Sequence, residues 1–107
     1  MEQWEGLIEI LLDKSASDAE RDDAAMDLSE YSNEAVIEAL VITINDDSAD
    51  DMIKASCGES LAMIFIQKNR FEEQIYKELK GIAKIEFVGS IYSQKREWEK
   101  YLDLEII

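Results

Sequence analysis

The chain has no histidine and no proline, and only four glycines and one cysteine in 107 residues. Each scarcity excludes something. Without histidine there is no side chain whose ordinary pKa suits a general base at neutral pH, and Cys57 has no imidazole to activate it. One thiol cannot close an internal disulfide, which agrees with a reducing compartment. Gly6, Gly58, Gly81 and Gly89 stand apart, so there is no glycine-rich phosphate loop. Apolar runs such as 39–42 and 61–66 are far shorter than the roughly 20 residues a bilayer-spanning helix needs. The opening Met1-Glu2-Gln3-Trp4-Glu5 is acidic where a secretory leader wants basic residues, so a cytoplasmic location is expected.

Positive charge is scarce in one part only. Residues 1–66 hold 17 Asp and Glu against 3 Lys and Arg, whereas residues 67–107 hold 8 of each. The net charge of −14 therefore belongs wholly to the first part. A field of one sign repels phosphate and anionic lipid and attracts cationic surfaces, so a basic partner is expected rather than nucleic acid or membrane.

An apolar content of 47% supports a folded core, and the length fits one domain over 1–107. The apolar spacing is helical. Trp4, Leu7, Ile8, Leu11 and Leu12 step by three and four, as do Val36, Ile37, Leu40, Val41 and Ile44, then Ile53, Cys57, Leu61 and Ile64, then Phe71, Ile75 and Leu79. Period-two alternation occurs only over 102–106. Cap chemistry places the ends. Ser17 with Glu20 has capping-box spacing, Asn69 with Glu72 is analogous, and Ser48 with Asp51 is a weaker version. Asn33 is placed as an N-cap and Gly81 as a left-handed residue closing a helix at Lys80. The spacing predicts an all-α chain with about seven helices, near 2–13, 18–31, 34–45, 49–67, 70–80, 83–93 and 95–103. Short connections make successive helices antiparallel neighbours. Gly58, inside a predicted helix, implies that another helix crosses close there, and Met26, Met52 and Met63 are expected as fillers of the core.

The helices repeat at an offset of 33 residues, which lays Arg21 over Lys54, Ala24 over Cys57 and Leu28 over Leu61. The segments Glu20-Arg21-Asp22-Asp23-Ala24-Ala25-Met26-Asp27-Leu28 and Ile53-Lys54-Ala55-Ser56-Cys57-Gly58-Glu59-Ser60-Leu61 resemble the second-helix pattern of HEAT-like repeats, Val-Arg-x-x-Ala-x-x-Ala-Leu. They depart from it at Glu20, Asp27, Cys57 and Ser60. The resemblance covers residues 1–66 and implies a short right-handed stack of antiparallel helix pairs, continued by charge-balanced helices over 67–107. An irregular helical bundle is the alternative architecture.

The carboxylates form a pattern. Glu20, Asp23, Asp27, Glu30 and Glu34 advance by three and four with no lysine between them. Like charges at this spacing weaken a helix by about 0.2–0.5 kcal/mol per pair. A face shaped by stability alone would mix signs, as Lys95, Arg96, Glu97, Glu99 and Lys100 do. The stripe is therefore a candidate binding surface, with a merely solvated face as the other reading. In a HEAT-like stack, second helices line the concave side, so Asp50, Asp51 and Glu59 would join the stripe in one groove. Tyr31 is the best-placed aromatic anchor, while Trp4, Trp98 and Tyr101 are expected to pack in the core. The loop 45–51 gathers Asp46, Asp47, Asp50 and Asp51 but fails the EF-hand pattern, since Ala49 stands at a ligand position and no glycine follows. No metal, cofactor or enzymatic activity is expected.

In size, charge and fold type the chain resembles the immunity proteins of bacterial contact-dependent growth-inhibition toxin systems. That resemblance implies a 1:1 complex of a monomer with a basic toxin domain, often a nuclease whose groove the inhibitor covers. Glu20, Asp23, Asp27 and Glu30 would then mimic phosphates, and Asp46, Asp47, Asp50 and Asp51 would form a steering rim. A HEAT-like adaptor holding a basic partner without inhibiting it is the alternative, and a structural domain charged only for solubility is a third reading.

Overall fold

The computed structural model describes residues 1–102 and contains, among them, helices and turns without a strand. Six α-helices follow in order: α1 (Gln3–Leu12), α2 (Asp18–Asp27), α3 (Glu34–Ile44), α4 (Asp51–Lys68), α5 (Glu73–Glu78) and α6 (Gly81–Gln94). A 3₁₀ turn (Leu28–Glu30) extends α2, and a second 3₁₀ segment (Arg96–Tyr101) follows α6. The alternating stretch 102–106 lies outside the described residues beyond Leu102.

Local chemistry explains most of the boundaries. Ser17 Oγ accepts from the Glu20 amide while the Glu20 carboxylate accepts from the Ser17 amide, the expected capping box. Asn33 Oδ1 accepts from the Val36 amide and starts α3. Two other caps differ from the sequence reading. Asn69 closes α4 instead of opening α5: it sits in the left-handed region (φ 53), and the Arg70 amide reaches back to the Phe65 carbonyl. At the start of α4, Asp50 rather than Ser48 takes the cap, accepting from the Met52 amide, while Ser48 is held by Asp46. Helix α5 is consequently shorter than predicted and stops at Glu78. Gly81 does have positive φ (64), but as the first residue of α6 and not as the close of α5.

Packing centres on α4. Helix α1 touches α2 and α3, α2 and α3 each touch α4, and α6 runs along α4 as its most extensive partner. At that crossing a Cβ on Gly58 would run into the Ala83 carbonyl, so only glycine lets the two backbones approach. Hydroxyls tie α4 to α2: Ser60 Oγ donates to the Ala25 carbonyl at 2.7 Å and Ser56 Oγ to Asp22 at 2.6 Å. Ala25 lies in the last turn of α2, where carbonyls lack helical partners, so Ser60 satisfies a group the helix cannot. Helices α2 and α4 begin 33 residues apart, and the pairs Ala24/Cys57 and Leu28/Leu61 are buried at equivalent places. The radius of gyration, 13.0 Å, is that of a compact chain of this length.

One cluster of buried side chains runs from Leu11 to Trp98. Trp4 and Tyr101 pack against it, as expected. Met26 and Met52 do not: both are about half exposed, at 49% and 51%. Their helices turn other residues inward, Arg21, Ala24 and Ala25 from α2 and Ile53, Cys57 and Leu61 from α4.

Candidate functional site

Helix α2 is thin in apolar residues, and its buried face is correspondingly unusual: Ala24, Ala25 and the aliphatic stem of Arg21, completed by Leu28. The Arg21 guanidinium is turned inward, with Nε donating to the Leu11 carbonyl at 2.9 Å. It thereby satisfies the last turn of α1, where a cation also suits the helix dipole. The only cation of α2 is therefore held on the side away from the acids.

On the opposite side Glu20, Asp23 and Asp27 are exposed and fall within about 60° of arc at 100° per residue. Glu30 is exposed at the end of the 3₁₀ turn. The line ends there: Tyr31 is extended (φ −121, ψ 124), so Glu34 opens a new helix and is no longer in phase with the stripe. Glu34 instead pairs with Lys68 at 3.4 Å. Among the described residues no ion pair reaches Glu20, Asp23, Asp27 or Glu30. The other two cations of residues 1–66 are also placed elsewhere. Lys14 pairs with Asp46 at 3.4 Å, and Lys54 shares a cavity with Asp47 and Asp51.

That cavity, about 280 Å³, also includes Ile44, Lys80, Gly81 and Ile82 and contains no residue of α2. Asp47 and Asp51 thus share this cavity with Lys54 of α4 and with Lys80 just before α6, separately from the stripe. Asp46 is engaged within its own loop. The Ser48 hydroxyl and amide both donate to it, and these bonds, with Lys14 nearby, hold its carboxyl down at about 2. Asp50 is exposed but serves as the α4 cap. Glu59 is exposed on α4. The residue that α2 turns toward α4 is Asp22, so the stripe and the α4 carboxylates do not line one surface as expected from the repeat. Tyr31 also lies apart from the stripe. Its ring packs on the core, and its hydroxyl donates to Gln3 at 2.8 Å, tying the end of α2 to the start of α1.

Cys57 is fully buried, and desolvation pushes its thiol up to about 12, so at neutral pH it is a protonated packing residue. No three carboxylates or thiols among the described residues converge as metal ligands would. No helix among them is long and apolar enough to cross a membrane.

Comparison with family models, with curated proteins and with solved structures returns no match for the chain. The site must be read from its own geometry.

Two features escaped the sequence reading. Met26 lies exposed beside the acids of α2, an apolar side chain on an otherwise charged face. A second apolar surface lies on α1 and α3, where Leu12 and Ile42 are 40% and 49% exposed. Helical spacing alone could not reveal it, because nearly every turn of α3 carries branched apolar residues on several sides.

Proposed function

We propose that the chain is an immunity protein that binds a basic toxin domain, a nuclease in the first instance, and covers the groove that would take nucleic-acid phosphates. The observation that carries this reading is the stripe Glu20, Asp23, Asp27 and Glu30, exposed along α2 with no ion pair among the described residues, while Arg21 is held at Leu11, Lys14 at Asp46 and Lys54 lines a cavity away from α2. The C-terminal end of the stripe also runs against stability. Asp27 and Glu30 stand at the negative end of the α2 dipole, where cations are favoured and none is present. In this reading the stripe carboxylates occupy positions made for phosphates, and Met26 adds a desolvated contact among them. Asp47, Asp50 and Asp51 act at longer range by steering encounter.

The same proposal includes the architecture and the setting. Residues 1–66 are two HEAT-like repeats, α1/α2 and α3/α4. The pairing of α1 with α3 and α2 with α4, and the helix starts 33 residues apart, support that assignment. The chain is read as one domain that acts in the cytoplasm as a monomer against one toxin.

The test is capture of the partner from the native host, followed by assay of what is captured. The expected result is a basic domain whose nuclease activity disappears on addition of one equivalent of the chain. Asp23→Lys with Asp27→Lys should slow association by about tenfold or more at low salt. The difference should shrink toward physiological salt, where the Debye length is about 8 Å. A basic partner whose own activity is untouched by binding would favour the adaptor reading instead. Binding unaffected by the double reversal would remove the stripe from the interface.

A further inference from the structure

The unpartnered surface on α1 and α3 has the form of a helix-binding groove. Ile8 and Leu12 on α1 are four residues apart, and Ala35, Glu38, Ala39 and Ile42 on α3 follow at three, four and seven. Together they line a depression of about 200 Å³. Ala35 and Ala39 are small and leave room for another backbone, while Leu12 and Ile42 stand as half-exposed walls. This i, i+3, i+4, i+7 pattern is the one by which helices bury a face, and nothing among the described residues covers it here.

The charge around the groove selects its occupant. Helices α1 and α3 contain Glu5, Glu9, Glu34 and Glu38 and no lysine or arginine. At 100° per residue, Glu5 and Glu9 lie on the same side of α1 as Leu12, and Glu38 lies inside the α3 stripe itself. A second copy of this chain would bring the same acidic margin and its own net charge of −14 against the first. An acidic or neutral helix would leave the flanking carboxylates facing like charge or losing water without a partner. We infer that the α1/α3 groove docks a cationic amphipathic helix, its apolar face seated between Leu12 and Ile42 and its lysines or arginines meeting Glu9 and Glu38. This inference does not rest on the α2 stripe, which lies on another helix and presents carboxylates rather than an apolar floor.

The experiment uses the full chain and a labelled synthetic helix of leucine and lysine, with a leucine–glutamate helix as its counterpart, read by fluorescence anisotropy at physiological salt. The leucine–lysine helix should bind and the leucine–glutamate helix should not. Leu12→Ser with Ile42→Ser keeps the charge unchanged and should weaken binding by about tenfold or more, since both apolar anchors are lost. Both positions are partly exposed, and circular dichroism confirms that the variant is folded. Asp23→Lys with Asp27→Lys should change the affinity by less than about threefold, as expected for removal of exposed long-range charge. Three results would overturn the inference: binding insensitive to the serine variant, binding lost equally in the stripe variant, or self-association of the chain that the serine variant abolishes. The first two reduce the attraction to net charge, and the third makes a second copy the occupant.

Discussion

Residues 1–66 and residues 67–102 build their halves of one core from different materials, and they handle charge differently as a result. The first part packs aliphatic side chains, among them Leu11, Leu28, Val36, Leu40, Ile53 and Leu61. The second packs rings. Phe71 lies within 6.0 Å, centroid to centroid, of Phe65, Tyr76, Phe87, Trp98 and Tyr101, stacked on Tyr101 and edge-on to Phe65, Phe87 and Trp98. Rings attract cations to their faces. Lys84 lies over Tyr76, Lys95 over Trp98, Arg96 over Tyr92 and Lys100 over Tyr101. Lys68 is paired with Glu34 and Glu72. Most cations of the second part are therefore committed locally, and among the described residues only Lys68 forms an ion pair with a carboxylate of the first part. The charge asymmetry written in the sequence survives folding because the aromatic half holds its own cations. An acidic face of this kind can be left open to a partner without being quenched from within.

The largest expected effect tests whether the rings really hold the second part. Phe65, contributed by α4, is fully buried between Phe71 and Phe87. Phe65→Ala should cost about 3–5 kcal/mol, measured by chemical denaturation, through lost transfer energy and an unfilled cavity. Trp98 fluorescence should change with it, since Trp98 joins the cluster through Phe71. A loss below about 1 kcal/mol, outside the usual range for a buried phenylalanine, would mean that the ring cluster is not the core of this part.

The join between the two parts comes next in size. Gly58→Ala should stabilise α4 taken alone by about 1 kcal/mol, because alanine is the better helix former. In the folded chain the added methyl meets the Ala83 backbone, so α6 must shift, and a net loss of about 1–3 kcal/mol is expected. A variant as stable as the parent would show that α4 and α6 part easily and that the two regions do not share one packed core.

How much of this could be read in advance depended on how local the cause was. The caps at Ser17 and Asn33 were legible because the accepting side chains and the amides that donate to them lie within three residues of one another. Asn69 was misplaced because asparagine suits both an N-cap and a left-handed C-cap, and only the bond from Arg70 to Phe65 distinguishes them. The segment after Gln94 was expected as an α-helix and is a 3₁₀ segment, fixed where Trp98 and Tyr101 meet Phe71 across the fold. Gly58 announced a close crossing, since a helix rarely keeps glycine without reason, but Ala83 as its partner came only from the tertiary structure. The stripe was legible as a spacing. Its separation from Glu34, from Tyr31 and from the α4 carboxylates was not, because each depends on where the chain leaves α2 and which side of that helix α4 covers.

The smallest effect is the sharpest test of what the stripe is for. Asp27 is in like-charge register with Asp23 at i,i+4 and Glu30 at i,i+3, at the negative end of the α2 dipole, with no ion pair among the described residues. Asp27→Lys removes that repulsion and places a cation where the helix end favours one, so stability should rise by about 0.5–1 kcal/mol. The gain should fade as salt is added, because both contributions are exposed and screened. The same substitution should weaken partner binding, so stability and binding would move in opposite directions at one residue. If Asp27→Lys lowered stability instead, the carboxylate would be making native contacts, the stripe would belong to the scaffold, and the contrast between an unquenched acidic part and a self-neutralised aromatic part would lose its functional meaning.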